Sequence, residues 1–343
     1  MIEGLTRGDF LRLLGASVAG TALAGHARAD ALQSVTVGGI QLPTDAPLFI
    51  AMDKGYFAKE GIAIDIKWFT AAATVFSAVV SRDVDIGMTS TTAATFNLAA
   101  KGGFRIIAGS TRDAPHFPLN AFLVSNKAYA AGFTNFKAMG GRRIAMTTAG
   151  STHQYDIAQI AQKYGVPLAS IAMVPLQSYG NISAALESGQ VDGAILPPSQ
   201  AQKILDAKGA HFLAWTGDQV PEQQGIVFAS PQTLANKREL VLRFMRAYVQ
   251  GAQEYHRNFN GVDAAGKPVK GPEFDALVAI IARHAGITPA QVEAQVTYII
   301  ADSRPDEADI RRQIAFWQEL GMVPKDGDFS HLFDLSFLPN ASG

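Results

Sequence analysis

No cysteine occurs anywhere in the 343-residue chain. A disulfide framework is therefore excluded, and so is a lipid tether of the kind attached to a cysteine after export. Histidine is scarce, and the seven histidines never fall at the helical spacing of a metal-binding pair, which argues against a metal site. Charge is sparse and balanced: 17% of residues and a formal net charge of −1 give no electrostatic case for nucleic acid or an anionic membrane. Enzyme signatures are missing too, with no Gly-x-Ser-x-Gly elbow, no Gly-x-Gly-x-x-Gly fingerprint and no His-Glu-x-x-His. The run Gly261-Val262-Asp263-Ala264-Ala265-Gly266-Lys267 does begin like a phosphate-binding loop. Pro268 then stands where a magnesium-binding hydroxyl is needed, and no apolar strand leads in. What the chain has in quantity is apolar surface, 48% of residues, enough for two cores of ordinary domain size.

The first 29 residues read as an export signal. Arg7 and Arg12 lie in a polar start diluted by Glu3 and Asp9, and residues 13–25 form an uncharged run rich in Ala, Leu and Gly. Ala27-Arg28-Ala29 supplies the small-x-small pattern of a peptidase site, so a mature chain from Asp30 is expected. The run is too short to span a bilayer, which points to a freely diffusing periplasmic protein. Thr6-Arg7-Gly8-Asp9-Phe10-Leu11 resembles a twin-arginine signal with Gly8 in place of the second arginine, so the export pathway stays open between Sec and Tat.

From residue 34 onward, short strand-like runs alternate with longer helical ones. Strands are expected at 35–40, 62–68, 84–88 and 105–108, with helices at 48–59, 71–80 and 92–101. After a strand at 121–124 the plan repeats, with strands at 143–146, 171–175 and 191–196 and helices at 152–164 and 182–187. This rhythm predicts an α/β fold of two doubly wound lobes, each a parallel sheet covered on both faces. The two series echo one another, since Ser77-Ala78 leads to Val84-Asp85 as Ser183-Ala184 leads to Val191-Asp192. The two aspartates read as turn caps. Apolar strands at 121–125 and 225–229 are placed to carry the chain out and back, giving a two-crossing hinge. The expected division is a signal peptide at 1–29, lobe I at 30–120 plus 230–343, and lobe II at 121–229. Helices are expected at 239–256, 273–284, 289–300 and 306–320, with a long surface loop at 258–272.

In such sheets ligands bind beyond the carboxyl ends of the strands, where helix N-termini offer unpaired N–H groups and partial positive charge. The loops at those ends are rich in hydroxyls and amides. They supply the candidates Thr44 and Asp45, Trp68 and Thr70, Ser90 and Thr91, His116, Ser151 with Thr152 and His153, Gln177 with Tyr179 and Asn181, and Pro198. Each hydroxyl has a competing use in capping the helix it precedes. Trp68 and Tyr179 are candidates for stacking on a ligand, against the alternative of core packing. His116 and His153 could donate to an anion or bind within their own loops. Arg112 is expected to pair with the adjacent Asp113.

Several segments carry a resemblance. Ala46-Pro47-Leu48, Ala51 and Gly55-Tyr56-Phe57-Ala58-Lys59-Glu60-Gly61, then Asp85-Ile86-Gly87, Gly150-Ser151-Thr152-His153 and Gly189-Gln190-Val191-Asp192-Gly193, stand in the order of the nitrate/sulfonate/taurine group of periplasmic binding proteins. Residues 35–228 are similar to that group, whose superfamily includes the thiamine-pyrimidine-type proteins. The resemblance implies a type II periplasmic-binding fold whose lobes close on a small-molecule ligand, with the segments after the first three strands and Gly150–His153 lining the cleft. It implies an ABC permease as partner, a monomer, and neither enzymatic activity nor a cofactor or metal. Of the family's Trp-acid-Pro turn only Pro198 is kept at 196–198, so the acid that could pair an ammonium ligand is missing. Neutral donors and helix dipoles suit a sulfonate or carboxylate instead, with Trp68 and Tyr179 leaving room for an aromatic or alkyl body. The rival is an enzyme on the same scaffold. The pyrimidine-precursor synthases of the superfamily carry a cysteine-rich motif, which this chain lacks.

Overall fold

Two five-stranded sheets built on one plan organise residues 32–339, the part of the chain that the computed structural model describes. The expected signal peptide, 1–29, lies outside these residues. Of the early strands, β1 (Gln33–Gly39), β2 (Ile62–Trp68), β3 (Ile86–Ser90) and β4 (Arg105–Gly109) belong to the first sheet, and a short β5 (Thr111–Asp113) follows. The second sheet takes β6 (Ala121–Ser125), β7 (Arg143–Met146), β8 (Ala172–Pro175), β9 (Gly193–Leu196) and β10 (Ala210–Trp215). The chain returns through β11 (Glu222–Gln223) into β12 (Gly225–Ala229), which enters the first sheet.

The strand orders are β2-β1-β3-β12-β4 and β8-β7-β9-β6-β10. In each, the first three strands are parallel, and the fourth is an antiparallel strand that the chain supplies just after it crosses between sheets. These two crossing strands are buried throughout and apolar up to the closing Ser125 of β6, because both their faces are covered. Val227 and Ala229 enter one core while Ile226 and Phe228 enter another, and Phe122 and Val124 alternate in the same way with Ala121 and Leu123.

The echo seen in the sequence has a structural counterpart. Asp85 accepts the N–H of Thr36 at 3.2 Å and Asp192 accepts the N–H of Arg143 at 2.8 Å, each pair 49 residues apart. Each acid stands just before a strand, β3 or β9, and grips the backbone of the parallel neighbour beside it, β1 or β7.

The long amphipathic helix Arg238–Phe259 returns to the first sheet and buries Val241, Phe244, Met245, Tyr248 and Ala252 along one face. It crosses the helix Ala46–Asp53 closely, because Gly251 has no Cβ: a side chain there would stand 2.1 Å from the Pro47 carbonyl oxygen. No helix among the described residues is long and apolar enough to cross a membrane.

Local expectations fail where turns intervene. The helix expected at 48–59 is two helices, Ala46–Asp53 and Tyr56–Lys59, because Gly55 adopts a left-handed φ of 72° that ends the first. The helix expected at 289–300 stops at Glu293, and the chain then runs into β15 (Tyr298–Ile299), after the hairpin strands β13 (Gly261–Val262) and β14 (Pro268–Val269). That hairpin occupies the expected surface loop, and with it the phosphate-loop look-alike. Helix Pro198–Asp206 and edge strand β10 were not foreseen. Nor was the small antiparallel sheet β11-β5-β15, which brings the outgoing and returning chain side by side at the hinge.

Candidate functional site

A cavity of about 490 Å³ opens between the carboxyl ends of the two parallel sets, where the topology leads one to look. The first lobe lines it with Ile40 and Leu42–Asp45 beyond β1, with Ala72, and with Met88–Ser90 at the end of β3. The second lobe contributes Thr152 and His153 beyond β7, Tyr179 beyond β8, and Pro197–Gln200 beyond β9. The hinge supplies the rest, chiefly Ser110, Thr111, Pro118–Asn120, Gln224 and Gly225, with Gln295 and Thr297. Among the described residues no lysine or arginine lines it.

Five helices begin at this cavity, and four of them lack a side-chain cap: Ala46–Asp53, Ala72–Ser81, Thr152–Lys163 and Pro198–Asp206. Their first-turn N–H groups are the donors that a helix leaves without an internal partner. By contrast, helix Ala93–Ala100, which starts outside the cavity, is closed by Thr92 through a reciprocal pair with Thr95. The sequence offers Ser151 as a cap for Thr152–Lys163. Its hydroxyl instead donates to the Thr148 carbonyl at 2.7 Å. The uncapped starts bring several partial positive charges to one place without a formal charge.

Two titratable side chains stand at equivalent starts. His153 is 3% exposed and its Nδ1 has no hydrogen-bond partner among the described residues. Burial pulls its pKa down to about 4, so at neutral pH it is an uncharged imidazole with one ring nitrogen still open. Asp45 is 6% exposed, and its carboxyl has one weak partner, the Leu42 N–H at 3.4 Å. Burial pushes its pKa up to about 8, so at pH 7 it is mostly protonated. The Gln224 side-chain nitrogen is likewise buried without a partner. The cavity is thus neutral at pH 7, dense in donors, and walled on the remaining sides by Ile40, Leu42, Met88, Pro118 and Leu119.

Of the residues singled out from the sequence, Thr44, Asp45, Ser90, Thr152, His153, Tyr179 and Pro198 come together on this cavity. The others lie elsewhere. Trp68 is 37% exposed and packs edge-on against Phe49 at 6.0 Å, and Thr70 next to it is exposed. Thr91 is buried and donates to the Gln313 side chain at 2.8 Å. His116, in a left-handed turn, lies against Gly266 of the distant hairpin. Ser151 is spent on Thr148, and Asn181 donates to the Leu176 carbonyl at 2.9 Å. Gln177 is exposed and left-handed, with its backbone N–H on the Thr147 carbonyl at 2.8 Å. Arg112 does not pair with Asp113 but reaches Asp306 at 3.1 Å, while Asp113 is buried and accepts from Leu119 and Thr216.

The hinge residues Ser110, Asn120, Gln224, Gln295 and Thr297 were missed, while Thr111 begins the loop after β4 that was expected to face the site. A usable signal existed for two of them: Asn120 and Gln224 each immediately precede an apolar crossing strand, a polar residue about to be buried at its start.

Comparison with known proteins matches this architecture. The periplasmic aliphatic sulphonate binding protein SsuA of Escherichia coli superposes with a TM-score of 0.65 at 15% identity, over 88% of this chain and 97% of that one. The alkanesulfonate-binding protein SsuA of Xanthomonas axonopodis pv. citri, bound to MOPS, gives 0.63 at 18% identity, over 88% and 98%. A solved relative is also an enzyme, the desulfurization enzyme DszB; its mutant in complex with biphenyl-2-sulfinic acid superposes with a TM-score of 0.59 at 15% identity, over 89% of this chain and 97% of that one. In sequence, the chain is 28% identical over 155 residues to the 4-amino-5-hydroxymethyl-2-methylpyrimidine phosphate synthase of Schizosaccharomyces pombe, which covers 45% of this chain and 41% of that protein. The chain therefore spans about two-fifths of that relative's length. The fold is the two-lobed type II periplasmic-binding fold. Residues 43–258 match the family model described as NMT1/THI5 like, and with that match covering most of its length the chain belongs to the NMT1/THI5-like family.

Proposed function

We propose that this protein is the periplasmic solute-binding component of an ABC importer, and that it captures a small organic anion between its lobes for delivery to a membrane permease. One observation carries the reading: four uncapped helix starts converge, with neutral hydroxyl, amide and imidazole groups, on a single cavity. Backbone dipoles of this kind favour a negative ligand while leaving no fixed countercharge to be stranded when the ligand departs. The apolar walls suit an aromatic or alkyl body of moderate size. The chain crosses between lobes at the starts of β6 and β12, and contacts from both sides exist together only in the closed form. The binding proteins among the solved relatives support a transport role.

Titration calorimetry at pH 7 tests the ligand class, with sulfonates, aromatic and aliphatic carboxylates, aminopyrimidines and organic cations as probes. An anion should bind with micromolar or tighter affinity, and a cation that binds more tightly than every anion overturns the reading. An enzyme on the same scaffold is the second possibility, favoured by the synthase relative and by DszB. Recovery of chemically altered product after incubation with a confirmed ligand would decide for it.

A further inference from the structure

A cavity that attracts anions through helix dipoles should not hold a carboxylate in its wall. Asp45 stands there nonetheless, buried, at the start of a helix, and among the described residues no lysine or arginine lines the cavity with it. Its one hydrogen bond among the described residues is the long contact from the Leu42 N–H. An ionised Asp45 would lie uncompensated in a buried site and repel the very ligand the helix starts attract. Both difficulties disappear if the group is protonated and donates.

This inference rests on the anion-binding reading and refines it. We propose that the Asp45 carboxyl shares a proton with the acid group of the ligand, so that the cavity selects a carboxylate over the sulfonate of the same shape. The chemical basis is basicity. An O–H···O⁻ bond to a charged acceptor is short and strong, the more so the more basic the acceptor. A carboxylate oxygen is much the stronger base and accepts well from a protonated Asp45, whereas a sulfonate oxygen is a far weaker base and gains little from the same donor. The other titratable groups around Asp45 do not compete for the proton. His153 on the facing helix start is neutral above about pH 4, and burial raises the phenols of Tyr179 in the cavity wall and Tyr248 behind Asp45. With Asp45 itself raised to about 8, it is the lining group that changes charge between pH 7 and pH 9.

The experiment uses matched pairs on the full mature protein: benzoate against benzenesulfonate, and octanoate against octanesulfonate, with benzamidine as the cationic control. The expected result at pH 7 is a carboxylate preference of about tenfold in at least one pair, equivalent to 1.4 kcal/mol. Asp45→Asn should lower carboxylate affinity by about tenfold and bring the preference below about threefold. Calorimetry of the same carboxylate at pH 9, in two buffers of different ionisation enthalpy, should show uptake of about one proton per ligand by the wild type and none by Asp45→Asn. A sulfonate that binds as well as its carboxylate partner, or proton uptake that persists in the variant, overturns the role of Asp45 and leaves the anion reading intact. If benzamidine alone binds, or if no anion of the panel binds, both fail together.

Discussion

After β1 and again after β7 the chain enters the same cavity and starts a helix, yet the two starts carry opposite chemistry. Beyond β1 stands an acid, Asp45, and beyond β7 stands a base, His153, each almost fully buried. Burial acts on them in opposite directions, raising Asp45 to about 8 and lowering His153 to about 4, because in each case it disfavours the charged form. One fold plan used twice therefore yields a site that is electrically neutral across the range between those values and still rich in donors. In the proposed reading an anion's charge would be met by the dipoles of the free helix starts and by no fixed countercharge.

The comparison breaks first through stability. Asp45 binds a proton more tightly in the folded chain than in the unfolded one, so its stabilising effect is complete below pH 3.8 and is lost as pH rises toward 8. At pH 7 that loss is worth up to about 4 kcal/mol. Asp45→Asn should recover most of it, with denaturant melts showing a large gain at pH 7 and almost none at pH 3. His153 works in the other direction. Its folded pKa is depressed, so stability present above pH 6.5 is lost as pH falls toward 4, by about 3 kcal/mol. His153→Gln should flatten that acid limb. If the two variants shift stability equally at pH 7, the assignment of opposite burial effects is wrong.

A smaller effect distinguishes the two strand clamps. Asp85 and Asp192 make the same backbone bond in the two sheets, but Asp85 also pairs with Lys237 of the C-terminal half at 2.6 Å, whereas Asp192 has only a long contact to Arg142 at 3.9 Å. Each alanine substitution should cost about 1–2 kcal/mol through the lost charged hydrogen bond. Asp85→Ala should cost more by a few tenths, the worth of an exposed ion pair. The reverse order in urea melts would mean that the clamps are not equivalent.

How much of this could be read beforehand depends on what each residue answers to. Apolar periodicity is a local property, so both parallel sets and both crossing strands are legible in it, and so is the repeat that ends on Asp85 and Asp192. Short strands such as β5, β11 and β15 are set by pairing between distant segments, and two or three residues carry no period to detect. The site divides along the same line. Residues directly after parallel strands, such as Asp45, Thr152 and His153, follow from topology. Trp68 follows the same rule but turns out of the cavity onto Phe49, because the strand that carries it is the outermost of its sheet. Gln295 and Thr297 reach the cavity from far along the chain, and nothing near them in sequence announces it.

The smallest expected effect concerns two neighbouring hydroxyls that composition alone cannot separate. Thr152 is the first residue of its helix and lines the cavity, while Ser151 has turned its hydroxyl back onto the Thr148 carbonyl. A hydroxyl that lines the cavity can donate to a bound anion, and losing one such bond costs about 1 kcal/mol of binding. Thr152→Ala should thus weaken affinity roughly fivefold with no loss of stability, since no side-chain cap is removed. Ser151→Ala removes a bond internal to its turn, so its cost should appear in the melting temperature and leave affinity within about twofold. Calorimetry beside thermal melts on the two variants separates these outcomes. Equal losses of affinity would show that the turn acts on the ligand as one unit, and that the free helix start at Thr152 is not the feature that matters.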